Sequence, residues 1–192
     1  MAKEIVFIRH SSLAVPRGIC YGFSDIDVSN NFSTEAKWLK FNLTSFIPQL
    51  VVTSPLKRCL KLSKEVFNKP IKLEVNLKEV NYGNWEGKSW EDISVEGGNL
   101  WMYNNVNNCP PNGESFLQLK NRVSYVVDEL IESKEDKLAV VCHGGVIRSV
   151  LSHLLNIPLE NTRSFDIHYV GFVKFLKTNE GWKLVELNSG FK

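Results

Sequence analysis

The chain has 192 residues, enough for one domain with a substantial core and short for two. Its 23 Lys and Arg residues nearly balance 21 Asp and Glu residues, and the net charge is +2. This balance excludes the broad basic surface that nucleic-acid-binding proteins use, so we expect no nucleic-acid partner and only a local anion site.

Three short apolar runs predict buried parallel strands, because their residues are apolar on both faces rather than in alternation. Each run is followed at once by a polar cluster that contains chemically reactive side chains. The predicted central strands of one α/β sandwich cover residues 4–8, 50–53 and 138–142. Right-handed crossovers through helices are the usual connection between such strands.

Helical patterns lie between and after these strands. Pro55 suits the first turn of a helix that runs to about Phe67. Apolar residues at three- and four-residue spacing predict two further helices, over about 116–130 and 146–155. Near the C-terminus, two apolar segments flank a Thr-Asn-Glu-Gly turn and predict a hairpin at a sheet edge, with strands over Ile167–Leu176 and Trp182–Leu187.

The segment from Gly83 to Gly113 differs from the rest of the chain. It is rich in Asn, Gly, Trp and Pro, and it contains one short helical candidate near Trp90–Ile93. Because its tryptophans need cover, we expect a lid-like insertion over the sheet at about 83–113 rather than a linker. The sequence has no repeat, low-complexity tract or composition break, so residues 1–192 are expected to form a single domain.

The cysteines and the termini limit the class of protein further. Four cysteines form no CxxC pair, and four histidines lack the spacing of zinc sites, so neither a disulfide framework nor a metal site is expected. The N-terminus has no signal-peptide pattern, and the longest apolar runs are far shorter than a membrane span. We expect a cytoplasmic protein that does not contact a membrane.

A cluster of basic side chains is expected at the carboxyl ends of the predicted strands, where ligands bind in open α/β sheets. Arg9 and His10 follow the first strand, and His143 follows the third. Arg58 lies one turn into the helix after the second strand. The helix that begins near Gly144 would direct free backbone N–H groups into the same crevice. Two arginines and two histidines at a helix N-terminus form a site for a phosphoryl group, which neutral imidazole can attack.

Five motifs carry a resemblance to a known family. In the order of the chain they are IRH at 8–10, TSPLKRC at 53–59, LKEVNYGNWEG at 77–87, PNGES at 111–115 and VCHGG at 141–145. The sequence resembles the histidine phosphatase superfamily, which has the phosphoglycerate-mutase-like fold, over nearly its whole length. The resemblance implies a three-layer α/β sandwich with a mostly parallel central sheet.

The resemblance also implies a role for each matching residue. His10 would be the nucleophile that becomes phosphorylated, and Glu79 would protonate the leaving alcohol. Arg9, Arg58 and His143 would hold the transferring phosphoryl group, with positive charge on all three offsetting the charge on its oxygens. No metal or other cofactor is implied.

The loop after the nucleophile departs from the family pattern. The family signature usually continues with glycine after the histidine, whereas this chain has Ser11. A Ser11 hydroxyl or backbone N–H could still face a phosphate oxygen, so Ser11 joins Arg9, Arg58, His143 and Gly144 as an expected substrate-binding residue. The substitution leaves the substrate contacts of the loop open.

A narrower resemblance concerns the leaving alcohol. Residues 15–22, followed by Ser24 and Asp25, are similar to the alpha-ribazole phosphatases, which remove a 5′-phosphate late in cobalamin biosynthesis. The leading hypothesis is therefore a phosphatase of small organic phosphates, with alpha-ribazole 5′-phosphate as the best single substrate. A cofactor-dependent phosphoglycerate mutase is the alternative, although such mutases generally carry longer insertions over the site. The intact motif residues argue against a non-catalytic phospholigand-binding module.

Several other residues invite a catalytic role. Asp25 and Glu86 are the substitutes for Glu79 if that residue is not the acid, although Glu86 in a Trp-Glu-Gly turn suits a structural hydrogen bond. Glu114 precedes a helix and is expected to complement its dipole. Cys142 and His143 are adjacent in a strand and point to opposite faces, which disfavours a Cys-His dyad. The tryptophans of the insertion are expected to cover it rather than to stack on substrate.

Overall fold

The computed structural model describes residues 3–99, 101 and 104–191. They contain a six-stranded sheet with the spatial order β3-β2-β4-β1-β5-β6. The first four strands in that order are parallel to one another. Strand β5 runs antiparallel to β1, and β6 runs antiparallel to β5. The strands are β1 (Glu4–Arg9), β2 (Leu50–Thr53), β3 (Ile71–Leu73), β4 (Lys137–Cys142), β5 (Phe172–Thr178) and β6 (Gly181–Asn188). The three predicted central strands are confirmed as the neighbours β2, β4 and β1.

Strand β1 lies in the middle of the sheet and is buried on both faces. Ile5 and Phe7 point into one apolar cluster, and Val6 and Ile8 point into the other. All four side chains are fully buried. Burial of a side chain of this size contributes about 1.5–3 kcal/mol, so an apolar residue at every position of the strand is stabilising here. This explains why the sequence shows an unbroken apolar run.

Helices cover both faces and complete the three-layer α/β sandwich. The cluster containing Val6 and Ile8 is closed by two helices, and the cluster containing Ile5 and Phe7 is closed by two others. The helices are α1 (Phe32–Asn42) and α2 (Lys57–Val66) on the first face, α3 (Trp90–Ile93) in the insertion, and α4 (Phe116–Glu132) and α5 (Gly144–Leu155) on the second face. The predicted helices after Pro55, over 116–130 and over 146–155 correspond to α2, α4 and α5.

The predicted C-terminal hairpin is present, but its first strand is shorter than predicted. Strand β5 begins at Phe172 instead of Ile167, and it pairs antiparallel with β1. The preceding residues form a loop that crosses the carboxyl end of β1. The Val170 N–H donates to the His10 carbonyl at 3.2 Å, and the Arg9 N–H donates to the Gly171 carbonyl at 2.8 Å. Val170 has a φ of +52°, a strained conformation for a β-branched residue. The loop therefore belongs to the site rather than to the sheet.

The tryptophans of the insertion pack together, as the sequence predicts. Trp85 and Trp101 are each 7% exposed and form a cluster with Cys20 and Ile93. The predicted helix near Trp90–Ile93 is α3. Residues 100, 102 and 103 of the insertion lie outside the described residues. That the segment acts as a lid, and that 1–192 is one domain, stay predictions. No helix within the described residues is both long enough and apolar enough to span a membrane.

Candidate active site

His10 lies at the carboxyl end of β1 and is only 2% exposed. Its Nδ1 lies 2.7 Å from the Ser11 carbonyl oxygen, which can only accept, so Nδ1 carries the proton and Nε2 keeps a free lone pair. Burial, together with the guanidinium groups of Arg58 and Arg9, holds the pKa of His10 well below its usual value. At neutral pH the ring is therefore uncharged, which is the form that can attack phosphorus.

His143 follows β4 and faces the same point from the neighbouring strand. Its ring centroid lies 5.1 Å from that of His10, a separation at which both rings can contact one phosphoryl group. The Arg58 Nε–H donates to His143 Nδ1 at 3.3 Å, so the ring proton is on Nε2, which donates to Ser54 Oγ at 2.9 Å. Burial and the charge of Arg58 hold the pKa of His143 well below its usual value. Without a bound anion this arrangement favours the neutral ring, because a cation lies beside a buried imidazole; the positive charge expected on His143 stays a prediction for the site with its phosphoryl group bound.

Arg58 is fully buried, which is unusual for an arginine and requires specific partners. Its Nη2 donates to the Gly22 carbonyl at 2.6 Å, and its Nη1 donates to the Ser24 carbonyl at 2.7 Å. Helix α2 supplies the arginine and the loop before α1 supplies the carbonyls. Two backbone carbonyls and one imidazole thus fix the guanidinium, and no carboxylate in the described part of the chain forms an ion pair with it.

Glu86 organises the loop that holds Arg58. Its carboxylate accepts hydrogen bonds from the N–H groups of Phe23 and Ser24 at 2.7 and 2.8 Å, and from Tyr82 N–H at 3.2 Å. Burial would raise the pKa of Glu86, but hydrogen bonds from the Ser24 hydroxyl and from the N–H groups of Phe23 and Ser24 hold it below its usual value. The predicted structural hydrogen bonding of Glu86 is confirmed. The loop also packs so closely that a Cβ on Gly22 would lie 1.8 Å from the Val80 carbonyl oxygen, which explains the glycine.

Arg9 points from β1 toward the N-terminus of α5. Its Nη1 donates to the Ile167 carbonyl at 2.8 Å, and its guanidinium lies 4.4 Å from the centre of the Tyr169 ring. Within the described part of the chain, Arg9 Nε and Ser11 Oγ are buried polar atoms without a hydrogen-bond partner. Such atoms are costly unless a ligand satisfies them, so they are suited to a bound oxyanion.

Glu79 reaches the same region from the loop after β3. Its Oε2 accepts a hydrogen bond from Gly145 N–H at 3.1 Å, and its Oε1 accepts one from Val80 N–H at 3.0 Å. Gly145 is in the first turn of α5, so the positive end of the helix dipole lies beside the carboxyl group. The structure therefore brings together Arg9, His10, Arg58, Glu79 and His143, with Gly144 beside them.

A cavity of about 230 Å³ opens onto this cluster. Arg9, Glu79 and Gly144 of the cluster line it together with Gly145, whereas His10, Arg58 and His143 are not among its lining residues. Its wall also contains residues that the sequence reasoning did not select, namely Ile19, Tyr21, Tyr82, Trp90, Phe116, Arg148 and Ile167. Arg148 has no hydrogen-bond or ion-pair partner among the described residues. The tryptophans were expected to cover the insertion rather than to contact substrate. Trp90 also lines the cavity, so it has a second possible contact.

Two tyrosines lie over the basic cluster and were also missed. The hydroxyl groups of Tyr21 and Tyr169 are 2.9 Å apart. The Tyr169 ring centroid is 5.6 Å from that of His10, and the Tyr21 ring centre is 5.7 Å from the Arg58 guanidinium carbon. Tyr21 falls within the loop that resembles the alpha-ribazole phosphatases, so its position was a usable signal. Nothing local in the sequence marks Tyr169.

The competing carboxylates lie elsewhere. Asp25 accepts a hydrogen bond from Lys57 N–H at 2.7 Å at the start of α2 and lines a different cavity. Glu114 was predicted to complement the dipole of the helix that follows it. Its carboxylate instead forms an ion pair at 2.6 Å with Arg122, a side chain of that helix. No group of three or more His, Cys, Asp and Glu side chains within residues 3–99, 101 and 104–191 is arranged to hold a metal ion.

The sequence pattern of the histidine phosphatase superfamily (branch 1) matches this chain over residues 5–190. The chain belongs to the histidine phosphatase superfamily. It is accordingly a phosphoric monoester hydrolase.

Named relatives and solved structures agree with this assignment. A glucosyl-3-phosphoglycerate phosphatase of Mycolicibacterium vanbaalenii is 25% identical over 173 residues, covering 83% of this chain and 77% of the relative. The adenosylcobalamin/alpha-ribazole phosphatase of Escherichia coli is 25% identical over 150 residues, covering 74% and 68%. The crystal structure of the alpha-ribazole phosphatase from Shigella flexneri superposes with a TM-score of 0.89 at 22% identity, covering 98% of this chain and 99% of that one. The last likeness is one of fold.

Proposed function

We propose that this histidine phosphatase hydrolyses a small organic phosphate monoester through a phosphohistidine on His10. The observation that carries the proposal is the neutral His10 ring, whose Nδ1 is fixed by the Ser11 carbonyl so that Nε2 is free. The His143 ring centroid lies 5.1 Å from that of His10, Arg58 donates to His143 Nδ1, and Arg9 is the residue before the nucleophile. The expected roles of these residues therefore have geometric support.

In the first half-reaction, the Nε2 lone pair attacks phosphorus and the bond from phosphorus to the alcohol oxygen breaks. Glu79 gives its proton to that oxygen, because an alkoxide is a poor leaving group near neutral pH; a positioned acid contributes about 10²–10⁴-fold. The guanidinium groups of Arg9 and Arg58 offset the charge on the equatorial oxygens, which is the task that metal ions perform in other phosphoryl-transfer sites.

In the second half-reaction, a water molecule attacks the phosphohistidine and the bond between phosphorus and Nε2 breaks. The Glu79 carboxylate takes the proton of the water and so returns to its starting state. Phosphate leaves, and His10 is again neutral. One carboxyl group on the leaving-group side thus serves both half-reactions.

The residues that line the cavity limit which leaving alcohols can bind. Tyr82, Trp90 and Phe116 form an aromatic wall, which supports an alcohol with a flat aromatic group such as the base of alpha-ribazole 5′-phosphate. This agrees with the resemblance of residues 15–22, and with that substrate the enzyme would act in cobalamin biosynthesis.

Arg148 favours a second candidate. Its guanidinium lines the cavity without a partner among the described residues, and arginine is well suited to bind a carboxylate or a second phosphate. Phosphorylated hydroxy acids, such as glucosyl-3-phosphoglycerate, carry such a group, whereas alpha-ribazole does not. The name of the M. vanbaalenii relative agrees with this candidate.

One kinetic panel tests the proposal. The chain is assayed in EDTA with alpha-ribazole 5′-phosphate, glucosyl-3-phosphoglycerate and a generic aryl phosphate, and with 3-phosphoglycerate in the presence and absence of 2,3-bisphosphoglycerate. We expect hydrolysis without bisphosphate; isomerisation that requires bisphosphate would instead identify a mutase. Arg148→Met should raise KM for the acidic esters and leave KM for alpha-ribazole 5′-phosphate nearly unchanged.

The nucleophile is tested with a matched pair of variants. His10→Ala should abolish turnover and covalent labelling by a ³²P-labelled substrate, whereas His153→Ala should retain both. His153 pairs with Asp128 on the surface and is remote from the chemistry. Labelling of wild type should be acid-labile and alkali-stable. A phosphoenzyme that persists in His10→Ala would contradict the assignment, and absence of any turnover in wild type would favour a phospholigand-binding module.

The partner is accordingly a small phosphate ester, and neither nucleic acid nor a membrane is expected to bind. A cytoplasmic location stays part of this proposal. It is supported by the four free cysteines, of which Cys20, Cys59 and Cys142 are buried thiols. Fractionation of cells that express the tagged chain tests the location.

A further inference from the structure

Arg122 makes an unusual set of contacts with the segment that carries Glu79. It reaches from α4 and donates from Nη1 to the carbonyls of Asn76 and Lys78, at 2.6 and 2.8 Å. Its Nη2 donates to the carbonyl of Glu79 itself at 2.8 Å. Residues 78–82 belong to no helix or strand, so these bonds replace the regular backbone pairing that the segment lacks.

Glu114 completes the arrangement from the other side. Its carboxylate accepts from Arg122 Nε at 3.1 Å and Nη2 at 2.6 Å, a bidentate pair. The same carboxylate accepts from Asn81 N–H at 2.8 Å. The side chains of Arg122 and Glu114 are only 18% and 16% exposed, so solvent screens the pair weakly. Backbone groups before and after Glu79 are thus bonded to one ion pair.

We infer that Arg122, oriented by Glu114, is a positioning residue that sets the direction of the Glu79 carboxyl group toward Gly145 and the leaving alcohol. The inference rests on the proposed function, in which Glu79 is the acid. A guanidinium presents five donors in a rigid plane, so it can hold three carbonyls and a carboxylate at once; the lysine ammonium has three donors and cannot. Because a misplacement of about 1 Å can cost about 10²-fold in rate, the acid depends on this support.

The test compares two substrates that differ in their need for an acid. Arg122→Gln is assayed for kcat/KM with glycerol 3-phosphate, whose leaving group needs a proton, and with 4-nitrophenyl phosphate, whose leaving group hardly does. We expect kcat/KM to fall at least about tenfold for the alkyl ester and less than about threefold for the aryl ester. Arg122→Lys should recover part of the alkyl activity. In a Glu79→Gln background, the further effect of Arg122→Gln on the alkyl ester should disappear.

Lys3 supplies a matched control. Its Nζ donates to the carbonyls of Leu130, Ile131 and Ser133 at the far end of α4, so it is a backbone clamp of the same kind away from the site. Lys3→Gln should lower the free energy of unfolding without changing the ratio of alkyl to aryl kcat/KM. If Arg122→Gln does not fold, Arg122→Lys and Glu114→Gln are measured instead, and the same ratio decides.

Two results would overturn the inference about Arg122 and leave the proposed function intact. One is an equal loss for both esters in the Arg122 variants, and the other is an undiminished loss when Arg122→Gln is added to Glu79→Gln. A different result identifies a failure of the proposed function: if Glu79→Gln by itself affects both esters equally, Glu79 is not the acid and there is no acid for Arg122 to position.

Discussion

Gly145 offers a sharp test of how Glu79 is placed. A Cβ added at this position would lie 2.3 Å from Glu79 Oε1 and 3.0 Å from Leu119 Cδ2, whereas ordinary contacts begin at 3.4 Å. Both atoms end flexible side chains, so the fold can survive Gly145→Ala. The carboxyl group must, however, retreat by about 1 Å, and its hydrogen bond from Gly145 N–H at 3.1 Å is lost or bent.

The displacement sets the expected magnitude. A shift of about 1 Å costs about 10²-fold in rate, so we expect kcat/KM for an alkyl phosphate to fall by about that factor. The loss should be much smaller for an aryl phosphate, whose leaving group needs no acid. Thermal stability should change little, because alanine is a better helix former than glycine by about 1 kcal/mol and this gain offsets part of the repacking cost.

The neighbouring glycine provides the comparison. A Cβ on Gly144 would lie 3.6 Å from Arg9 Nε, which is an ordinary contact, so Gly144→Ala should lose far less alkyl activity than Gly145→Ala. Steady-state kinetics with both esters and a thermal melt of each variant suffice. If Gly145→Ala keeps full alkyl activity, or if it loses alkyl and aryl activity in equal measure, the argument that the Gly145 contact places the acid is refuted.

Three further predictions concern the acid, the absence of a metal requirement and pH. Glu79→Gln should slow release of an alkyl leaving group by about 10²-fold or more, with little effect on an aryl group, and the variant should accumulate phosphohistidine. If pre-steady-state release of the leaving group slows by the same factor for both esters, Glu79 is not the acid, and Asp25 and Glu86 become the candidates. Activity should survive dialysis against EDTA, and recovery only on adding a divalent cation would contradict the role given to the arginines. Burial and the neighbouring cations lower the pKa of His10 and His143 in the folded protein. Below the unfolded pKa of about 6.5, the unfolded chain therefore binds more protons than the folded chain, and the free energy of unfolding decreases as the pH falls. Urea unfolding should show a loss of up to about 1.4 kcal/mol per pH unit for each ring, and His143→Gln should reduce the slope; a slope unchanged by that substitution would contradict the shift.

Much of the sheet was predictable because its central strands are buried on both faces. Strands buried on both faces produce unbroken apolar runs, and the polar residues that end β1 and β4 are those that the candidate site contains. The proximity of His10 and His143 follows from the pairing of β1 with β4, in which Arg9 lies opposite Cys142. The register of this parallel pairing places the two histidines, which follow Arg9 and Cys142, side by side.

Other elements left no clear pattern. Helix α1 was not predicted, because its inner face includes the buried Glu35, which accepts from Ser12 N–H at 2.8 Å, while Phe41 on its outer face is 81% exposed. Strand β3 has three residues at the sheet edge, and Leu73 is 54% exposed. Both segments reverse the usual relation between polarity and burial, so periodicity cannot identify them.

The surroundings of the reacting groups depend on tertiary contacts between distant loops. Arg148 is one more basic residue of a helix until the cavity wall is known, and Tyr169 acquires a role only through the turn before β5. The position of Glu114 before a helix predicts a contact with the helix dipole. Its actual partner is Arg122, eight residues later, which also donates to the Glu79 carbonyl some forty residues away, and this tertiary contact leaves no local pattern. Local rules therefore select candidate reacting groups at strand ends, but they do not reveal the tertiary contacts that surround them.

The central position of β1 has a consequence for how the protein folds. Both neighbours of this strand are distant in sequence, since Glu4 pairs with Lys137 on one side and with Leu176 on the other. During synthesis, the first apolar run therefore has no strand partner until about three quarters of the chain has been made, and its second edge stays open until the hairpin emerges. Contacts of such long range slow folding and expose unpaired edges to association. We expect the loop that carries His10 to reach its final structure only after the β5–β6 hairpin has been synthesised, and chains truncated before β5 to aggregate.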